Sequence, residues 1–265
     1  MNTLTAALLG IVQGLCEFLP VSSSGHLVLL QNIFGIDEGT LFFDVMLHIG
    51  TLAAVFAVYY KKIWALIKKP FQRLTLLLAV STLAMVAVAL IFRDTFENAF
   101  GGGLLGFGFL LTTVVLFINQ FKAKGTKSPE SLSIHGAVGI GLMQGIAIFP
   151  GLSRSGSTIT GARLLGLGKD EAAEYSFLLS IPAILGSLVL QLPDVFSQGI
   201  GGLQWSNIII GTLAAAVSGY LAIRLMLRLI REKSLLGFGI YTAILGVLVL
   251  ADQLIFNLFF ANPFV

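Results

Sequence analysis

Runs of apolar residues long enough to cross a lipid bilayer constrain the fold of this chain more than any other feature. An α-helix needs about 20 apolar residues to span the hydrocarbon core. A soluble domain has about 25% charged residues, whereas this chain of 265 residues has 11% charged and 56% apolar residues. We therefore expect an all-α polytopic membrane protein that forms one integral membrane domain, residues 1–265. Six segments are predicted to span the bilayer, at about residues 43–60, 73–92, 101–121, 175–192, 206–230 and 236–258.

The basic residues predict the orientation of these spans. Clusters of Lys and Arg mark cytoplasmic loops, and here they follow the first, third and fifth spans. With those loops inside, the first span runs inward and the fourth runs outward. The net charge is +3, but no basic groove with interleaved aromatic residues accompanies it, so no nucleic-acid partner is expected. The residues concerned are Lys61, Lys62, Lys68, Lys69, Arg73, Lys122, Lys124, Lys127, Arg231 and Lys233.

Two further apolar regions, 1–33 and 134–166, are each interrupted near the middle by Pro, Gly and Ser, which predicts two re-entrant hairpins. Irregular backbone at membrane depth is tolerated only inside the protein or beside a wet cavity. An offset of 131 residues aligns 10–26 with 141–157 without a gap and with seven identities. With the orientation above, the hairpins insert from opposite faces, which is typical of an inverted-topology repeat. Each half, about 1–130 and 131–265, is then a re-entrant helical hairpin followed by three transmembrane helices.

The hairpins bring two charges to membrane depth. Glu17 belongs to the first tip, defined here as residues 13–26, and Arg154 to the second tip, residues 144–158. An unpaired charge at the bilayer centre costs roughly 2.5–3.5 kcal/mol even on the lenient insertion scale. Placed opposite each other, or on either side of a bound cation and anion, the two charges compensate. We therefore expect a polar pocket between the two tips.

The second tip has the composition of an anion site. The guanidinium of Arg154 offers a planar fork of donors suited to phosphate oxygens. A helix restarting near Thr158 would direct its N-terminal N–H groups at the same point. A different interpretation is that the Ser and Thr residues are ordinary N-caps. The hydroxyls that would line the cradle are those of Ser153, Ser155, Ser157 and Thr158.

The first tip has groups suited to a reaction. Gln13 and Glu17 lie four residues apart, hence on one helical face, and could offer oxygens to Mg²⁺ or Ca²⁺ if substrate phosphates complete the shell. His26 is a candidate general acid or base, and Ser22, Ser23 and Ser24 are candidate nucleophiles. The alternative is that the serines cap the following helix and that a backbone carbonyl satisfies His26.

One polar pair lies within the first predicted span. Asp44 and His48 are four residues apart, and side chains at that spacing share one face of a helix. We expect this pair to support the fold by internal hydrogen bonding, and the alternative is a direct catalytic role.

The two tips resemble the signature motifs of a known family. The segments "QGLCEFLPVSSSGHL" and "FPGLSRSGSTITG", with "FFDVMLHIGTLAAV" and "EYSFLLSIPAILG", resemble the bacterial undecaprenyl-diphosphatases of the bacitracin-resistance type over nearly the whole chain. The resemblance implies an enzyme of the bacterial cytoplasmic membrane, dependent on a divalent cation, with a site open to the outer face. Its substrate would be undecaprenyl diphosphate, and its product, undecaprenyl phosphate, is the lipid carrier of peptidoglycan synthesis. It further implies that Glu17, Ser23, His26 and Arg154 are essential, and that Gln13 occupies a position accepting Glu or Gln.

The resemblance leads to a mechanism, and the predicted architecture suggests a rival function. Arg154 and the hydroxyls of the second tip would hold the diphosphate, with Ser22 and Ser24 also in contact with it. Ser23, helped by His26, would attack the distal phosphorus, and His26 as the nucleophile is a variant. The rival is a polyprenyl-phosphate transporter or flippase, because inverted repeats with broken helices are transporter architecture. The exposed edges of the spans allow a homodimer.

Overall fold

The computed structural model describes residues 1–36, 40–121, 125–198 and 204–260, and these residues form an all-α fold. Their only β-type pairing is an isolated bridge between Lys127 and Leu167. A short 3₁₀ turn at Pro129–Ser131 precedes the second half, and a π turn at Asp252–Phe256 follows the last helix. The helices are α1 Thr3–Phe18, α2 Ser23–Phe34, α3 Thr40–Lys68, α4 Arg73–Ile91, α5 Arg93–Ala99, α6 Leu105–Gln120, α7 Ile134–Ile146, α8 Arg154–Leu164, α9 Lys169–Gln198, α10 Trp205–Glu232 and α11 Leu236–Ala251.

Five segments of the described chain are long and apolar enough to cross a membrane, and they confirm a polytopic membrane protein. They coincide with five of the six predicted spans: Leu41–Lys68, Arg73–Ile91, Lys169–Gln191, Trp205–Glu232 and Leu236–Phe256. Several helices continue beyond the predicted bounds, so Lys61, Lys62 and Lys68 lie within α3 rather than in a loop. The loop lysines Lys122 and Lys124 are outside the described residues.

The prediction for 101–121 was too long. That run forms α6, which has only 16 residues and is shorter than a helix that spans the hydrocarbon core. Gly102 has φ +88°, a left-handed conformation that cannot continue a helix, so residues 101–104 form turns and α6 begins at Leu105. The seven-residue α5 before these turns was not predicted either.

The two interruptions lie where the sequence predicts them. The first hairpin breaks between Phe18 and Ser23, and the second between Ile146 and Arg154. α8 therefore begins at Arg154, four residues before the restart expected near Thr158. The reason is local: the Ser153 hydroxyl accepts a hydrogen bond from the Gly156 N–H at 3.0 Å and caps the helix there.

Each hairpin is packed against a helix of the other half. α1 packs along α10, and α7, its counterpart at the 131-residue offset, packs along α4. Gly10 and Gly141 occupy equivalent positions at these two crossings. A Cβ on Gly10 would lie 2.2 Å from the carbonyl oxygen of Gly211, and one on Gly141 would lie 2.2 Å from that of Ser81. The helix order of the two halves thus corresponds, while their opposite orientation in the membrane stays a prediction.

The largest apolar core lies behind the tips. It includes Phe18 at the end of α1 and the fully buried Tyr175 and Phe177 of α9. The rings of Phe18 and Phe177 meet edge to face with centroids 5.6 Å apart. This packing fixes the end of α1, the helix that carries Gln13 and Glu17.

Candidate functional site

A polar pocket lies between the two tips, as the sequence predicts. It contains about 220 Å³ of space free of atoms. The tips contact each other beside it: a Cβ on Gly25 would lie 2.8 Å from the Cα of Gly151, and the Ser155 hydroxyl donates to the Leu19 carbonyl at 3.2 Å. The residues lining the pocket are Cys16, Glu17, Ser22, Ser23, Ser24, Ala147, Leu152, Ser153, Arg154 and Ser155.

The carboxylate of Glu17 is the centre of the site. Its Oε1 accepts a hydrogen bond from Arg154 Nη2 of the second tip, which forms a buried ion pair. Its Oε2 accepts from the Ser23 hydroxyl at 2.5 Å and from Gln13 Nε2 at 3.2 Å. Glu17 and Arg154 were expected to compensate each other either directly or across bound ions, and the structure shows the direct ion pair. Gln13 and Glu17 share one face of α1, as their spacing predicts.

Arg154 has a donor left over. Its Nη2 is used by Glu17, whereas its Nη1 is buried and has no hydrogen-bond partner among the described residues. The Ser157 hydroxyl is unpartnered in the same sense. A buried, unpaired guanidinium nitrogen is costly, and an anionic oxygen is the group that satisfies it best. The second tip therefore has the donors of an anion site.

The serines of the two tips are arranged alike. Ser22 caps α2 by accepting from the Gly25 N–H at 3.3 Å, as Ser153 caps α8. In each tip the capping hydroxyl lies close to the hydroxyl two residues later, at 3.4 Å for Ser24 and 3.3 Å for Ser155. Ser22 and Ser153 thus have the expected capping role. Both of them, together with Ser24 and Ser155, also line the pocket.

Thr158 lies away from the pocket lining. Its hydroxyl donates to the Arg154 carbonyl at 2.9 Å and lies 2.6 Å from the Ser176 hydroxyl. These contacts connect the start of α8 to α9, and the predicted contact of Thr158 with substrate stays a prediction.

Ser22 has an unusual backbone. Its φ of 72° and ψ of 101° lie outside the helical and extended regions, and such a conformation in a residue other than Gly costs of the order of 1–3 kcal/mol. The other non-Gly residue with positive φ in the described chain is Asn257, far along the sequence. Strain of this kind persists only where neighbouring groups hold it, so contacts around Ser22 are significant for the site.

His26 is hydrogen-bonded through both ring nitrogens. Its Nδ1 lies 2.7 Å from the Ser22 carbonyl oxygen and its Nε2 lies 2.7 Å from the Tyr241 hydroxyl of α11. The Ser23 hydroxyl contacts Glu17 instead, and His26 is not part of the pocket lining. The backbone-carbonyl contact foreseen as the alternative for His26 is therefore present.

The sequence did not place His48 and Tyr241 in the site, although the structure brings both of them close to it. The internal hydrogen bonding expected of Asp44 and His48 is present, because His48 Nδ1 donates to the backbone carbonyl of Asp44 at 2.7 Å and the Asp44 carboxylate accepts from Gln31 Nε2 at 2.9 Å. His48 Nε2 then lies 4.0 Å from Glu17 Oε2. The sequence did contain a signal for His48, because a histidine within an apolar span indicates a polar contact at membrane depth. Tyr241 had no such signal, because its partner is 215 residues away.

Gln13 and Glu17 are the residues of the first tip whose oxygens could hold a divalent cation. No group of three or more His, Cys, Asp or Glu side chains that could hold a metal occurs in the described ranges. Gln13 Oε1 is nevertheless a buried acceptor without a partner there, and it belongs to the side chain that touches Glu17. Two hard oxygen donors suit a weakly held Mg²⁺ or Ca²⁺ whose other ligands come from water and phosphate.

Comparisons with known proteins agree on one family. The family model described as "Bacitracin resistance protein BacA" matches residues 6–248. The chain is 45% identical over 256 residues to an undecaprenyl-diphosphatase of Carboxydothermus hydrogenoformans, covering 96% of this chain and 98% of that protein. It is 45% identical over 254 residues to undecaprenyl-diphosphatase 4 of Bacillus cereus, with 96% and 98% covered. It is 40% identical over 253 residues to an undecaprenyl-diphosphatase of Halothermothrix orenii, with 94% and 98% covered.

Proposed function

The chain belongs to the bacitracin resistance protein family BacA, and from that premise we propose that it is an undecaprenyl-diphosphatase, as its relatives are named. The reaction is the hydrolysis of undecaprenyl diphosphate to undecaprenyl phosphate and inorganic phosphate. One observation supports this function best. The two tips meet at a single carboxylate, Glu17, which touches both the hydroxyl of Ser23 and the guanidinium of Arg154, whose Nη1 has no partner among the described residues.

The diphosphate binds at the second tip. Arg154 donates to a phosphate oxygen through Nη1, and the hydroxyls of Ser153 and Ser155 line the same pocket. Ser22 and Ser24 face them from the first tip. A donor set that is fixed before substrate arrives stabilises the charge that develops on the transferred phosphoryl group. The undecaprenyl chain remains in the bilayer, which is the reason a membrane fold holds this site.

Ser23 is the proposed nucleophile and Glu17 its base. The Ser23 hydroxyl already donates to Glu17 Oε2 at 2.5 Å. Attack of Ser23 Oγ on the distal phosphorus breaks the bond to the bridging oxygen, and Glu17 takes the serine proton and returns it to the departing undecaprenyl phosphate. Water then hydrolyses the phosphoserine and releases phosphate. The sequence suggested His26 as the helper of Ser23, but the contact of Ser23 with Glu17 supports the carboxylate in that role.

Gln13 and Glu17 would hold the divalent cation through Gln13 Oε1 and a Glu17 oxygen. When bound, such a cation neutralises charge on the phosphate oxygens. Gln13 is neutral, so Glu17 is the sole acidic ligand, and tight binding requires substrate phosphates. A loosely held cation, either Mg²⁺ or Ca²⁺, is proposed on this basis.

The cellular setting is proposed from the same family. The protein acts in the bacterial cytoplasmic membrane with its pocket open to the outer face, where it recycles the lipid carrier of peptidoglycan synthesis. A homodimer is compatible with the apolar outer surfaces of the spans. The transporter alternative gains no support, because the three relatives reported above are all named as phosphatases.

Phosphate release from undecaprenyl diphosphate by purified protein in detergent tests this function. Wild type should release phosphate, chelator should stop the release, and Mg²⁺ or Ca²⁺ should restore it. Glu17→Ala and Arg154→Ala should abolish release, whereas Arg228→Ala, which removes an exposed arginine paired with Glu232, should not. If the wild type released no phosphate in the presence of any divalent cation tested, the proposal would be refuted and lipid transport would become the favoured function.

The nucleophile is tested with substrate labelled in the distal phosphate. Rapid quenching in acid should leave an acid-stable label that maps to Ser23. A label that survives only in alkali and maps to His26 would assign the attack to the imidazole instead. Release of labelled phosphate without a trapped label in either quench would favour direct attack by water.

A further inference from the structure

We propose that Tyr241 is a positioning residue that acts through His26 on the strained backbone of Ser22, and so keeps the Ser23 hydroxyl on Glu17. The inference rests on the proposed phosphatase function. It assigns a role to a residue of α11, which lies outside both tips, and it gives His26 a role other than proton transfer.

The contacts of His26 fix its tautomer. A carbonyl oxygen can only accept a hydrogen bond, so the Nδ1 atom that lies 2.7 Å from the Ser22 carbonyl carries a hydrogen. In the neutral imidazole Nε2 is then an acceptor, and the Tyr241 hydroxyl at 2.7 Å donates to it. Both nitrogens of His26 are occupied in this arrangement, and neither contacts Ser23.

Two aromatic rings also fix the orientation of the His26 imidazole. The ring of Tyr241 stacks on the imidazole with centroids 5.7 Å apart and planes inclined by 13°. Phe109 of α6 meets the imidazole edge to face at 5.3 Å. Tyr241 therefore supplies both a stacked ring and a hydrogen bond, and its hydroxyl determines where Nδ1 points.

The group to which Nδ1 points is the carbonyl of the strained residue. The Ser22 carbonyl accepts from the His26 side chain and also from the His26 backbone N–H at 3.2 Å. These two bonds hold the Ser22 carbonyl in the direction that its φ of 72° and ψ of 101° together impose. Without them the backbone could relax towards an ordinary conformation, and the peptide group joining Ser22 to Ser23 would rotate with it.

The second tip provides an internal comparison. The residue equivalent to His26 is Ser157, whose hydroxyl has no partner among the described residues. The residue equivalent to Ser22 is Ser153, whose φ of −73° is unstrained. The imidazole and the strain thus occur together in the first tip and are both absent from the described second tip, as a positioning role for His26 requires.

A double-mutant cycle tests whether Tyr241 acts through His26. Tyr241→Phe keeps the stacked ring and removes the hydroxyl; we expect kcat to fall about fivefold, the scale of one lost neutral hydrogen bond, and KM to stay within about twofold. In a His26→Ala background the same change should have no further effect on kcat. Tyr60→Phe, which removes a tyrosine hydroxyl from α3, is the matched control and should leave kcat unchanged.

Rescue of His26 by different amides tests its role. His26→Asn keeps an N–H near the position of Nδ1, whereas His26→Gln places its amide near the position of Nε2. We expect kcat of His26→Asn to exceed that of His26→Gln and His26→Ala by about tenfold, because only the asparagine can still donate to the Ser22 carbonyl.

Three outcomes decide the proposal. If the His26→Asn variant is as inactive as the His26→Ala variant, His26 exchanges a proton or attacks phosphorus itself, and the inference fails. An undiminished effect of Tyr241→Phe in the His26→Ala background would also overturn it, since the hydroxyl would then act by another route. Both failures require an active wild type, and inactivity of the wild type instead refutes the proposed function. Thermal unfolding of each variant in detergent separates loss of folding from loss of rate.

Discussion

The two tips share a scaffold and differ in chemistry. At equivalent positions both have a capping serine, a second serine two residues later and a glycine after it. The residue between the two serines is Ser23 in one tip and Arg154 in the other, and both touch Glu17. Glu17 itself has Ile148 as its equivalent. The two turns therefore share a geometry, and the unequal residues at equivalent positions are the proposed nucleophile, base and anion donor.

The tips also differ in where they contain positive φ. In the second tip the residue is Gly151, with φ +86°, where the conformation is unstrained. In the first tip it is Ser22, whose side chain lines the pocket. At the positive φ of the second tip stands a glycine, which suits that conformation, while in the first tip a strained serine stands beside Ser23, the proposed nucleophile. Four substitutions probe this contrast.

Arg154→Lys should have the largest effect. Lysine keeps the charge but not the planar fork, so it cannot bind Glu17 and a phosphate oxygen with the same geometry. We expect kcat/KM for phosphate release to fall about 100-fold, the scale of a lost transition-state donor. Arg228→Lys is the matched control on an exposed pair. Activity within threefold of wild type would show that charge alone suffices.

Gly151→Ala should reduce stability the most of the four substitutions. The new Cβ would adopt a left-handed conformation and lie 2.6 Å from the Leu105 carbonyl oxygen. Strain and overlap together should lower the free energy of unfolding by about 2 kcal/mol or more. A fall of several degrees in Tm in detergent checks this. Gly139→Ala is the control, because no atom lies within 4 Å of its Cβ position.

Gln13→Leu should weaken the response to divalent cation. The substitution removes the unpaired Oε1 and leaves Glu17 as the only proposed protein ligand of the cation. The cation concentration for half-maximal activity should rise about tenfold, a typical cost of losing one ligand or its support. Gln144 is the equivalent residue of the second tip and donates to the sulfur of Met85 instead. If Gln144→Leu gave the same rise, the two glutamines would act through packing, not through a cation.

Of the four substitutions, Ser22→Gly should change the free energy of unfolding the least. Glycine relieves the positive φ, and glycine in place of an N-cap serine costs only a few tenths of a kcal/mol. Thermal unfolding should therefore show a change within about 1 kcal/mol of wild type. The rate of phosphate release should fall several-fold, because the freed backbone no longer holds Ser23. A faster enzyme would mean that the strain hinders the reaction.

The sequence predicted what local pattern and charge can determine. The Pro, Gly and Ser interruptions predicted both turns, and the cost of leaving either charge unpaired in the membrane predicted the meeting of Glu17 with Arg154. The shortened α6 could not be foreseen from apolar content, because the left-handed backbone of Gly102 ended the run. Tyr241 reaches His26 from the far end of the chain, and His48 approaches Glu17 from a different helix. Such contacts depend on tertiary packing and leave no periodic signal.

The crossed packing of the hairpins has a consequence for how the chain is synthesised. When α7 emerges, its partner α4 has already been made. α1 ends at Phe18, however, and its partner α10 begins only at Trp205. At a translation rate of about 5–20 residues per second, the first hairpin waits roughly 10–40 s for the helix that covers Gly10. Arg154 and the other pocket residues of the second tip are made within that interval, before α10. The packing of α1 against α10, rather than the synthesis of the pocket residues, is therefore one of the last events in the biogenesis of this protein.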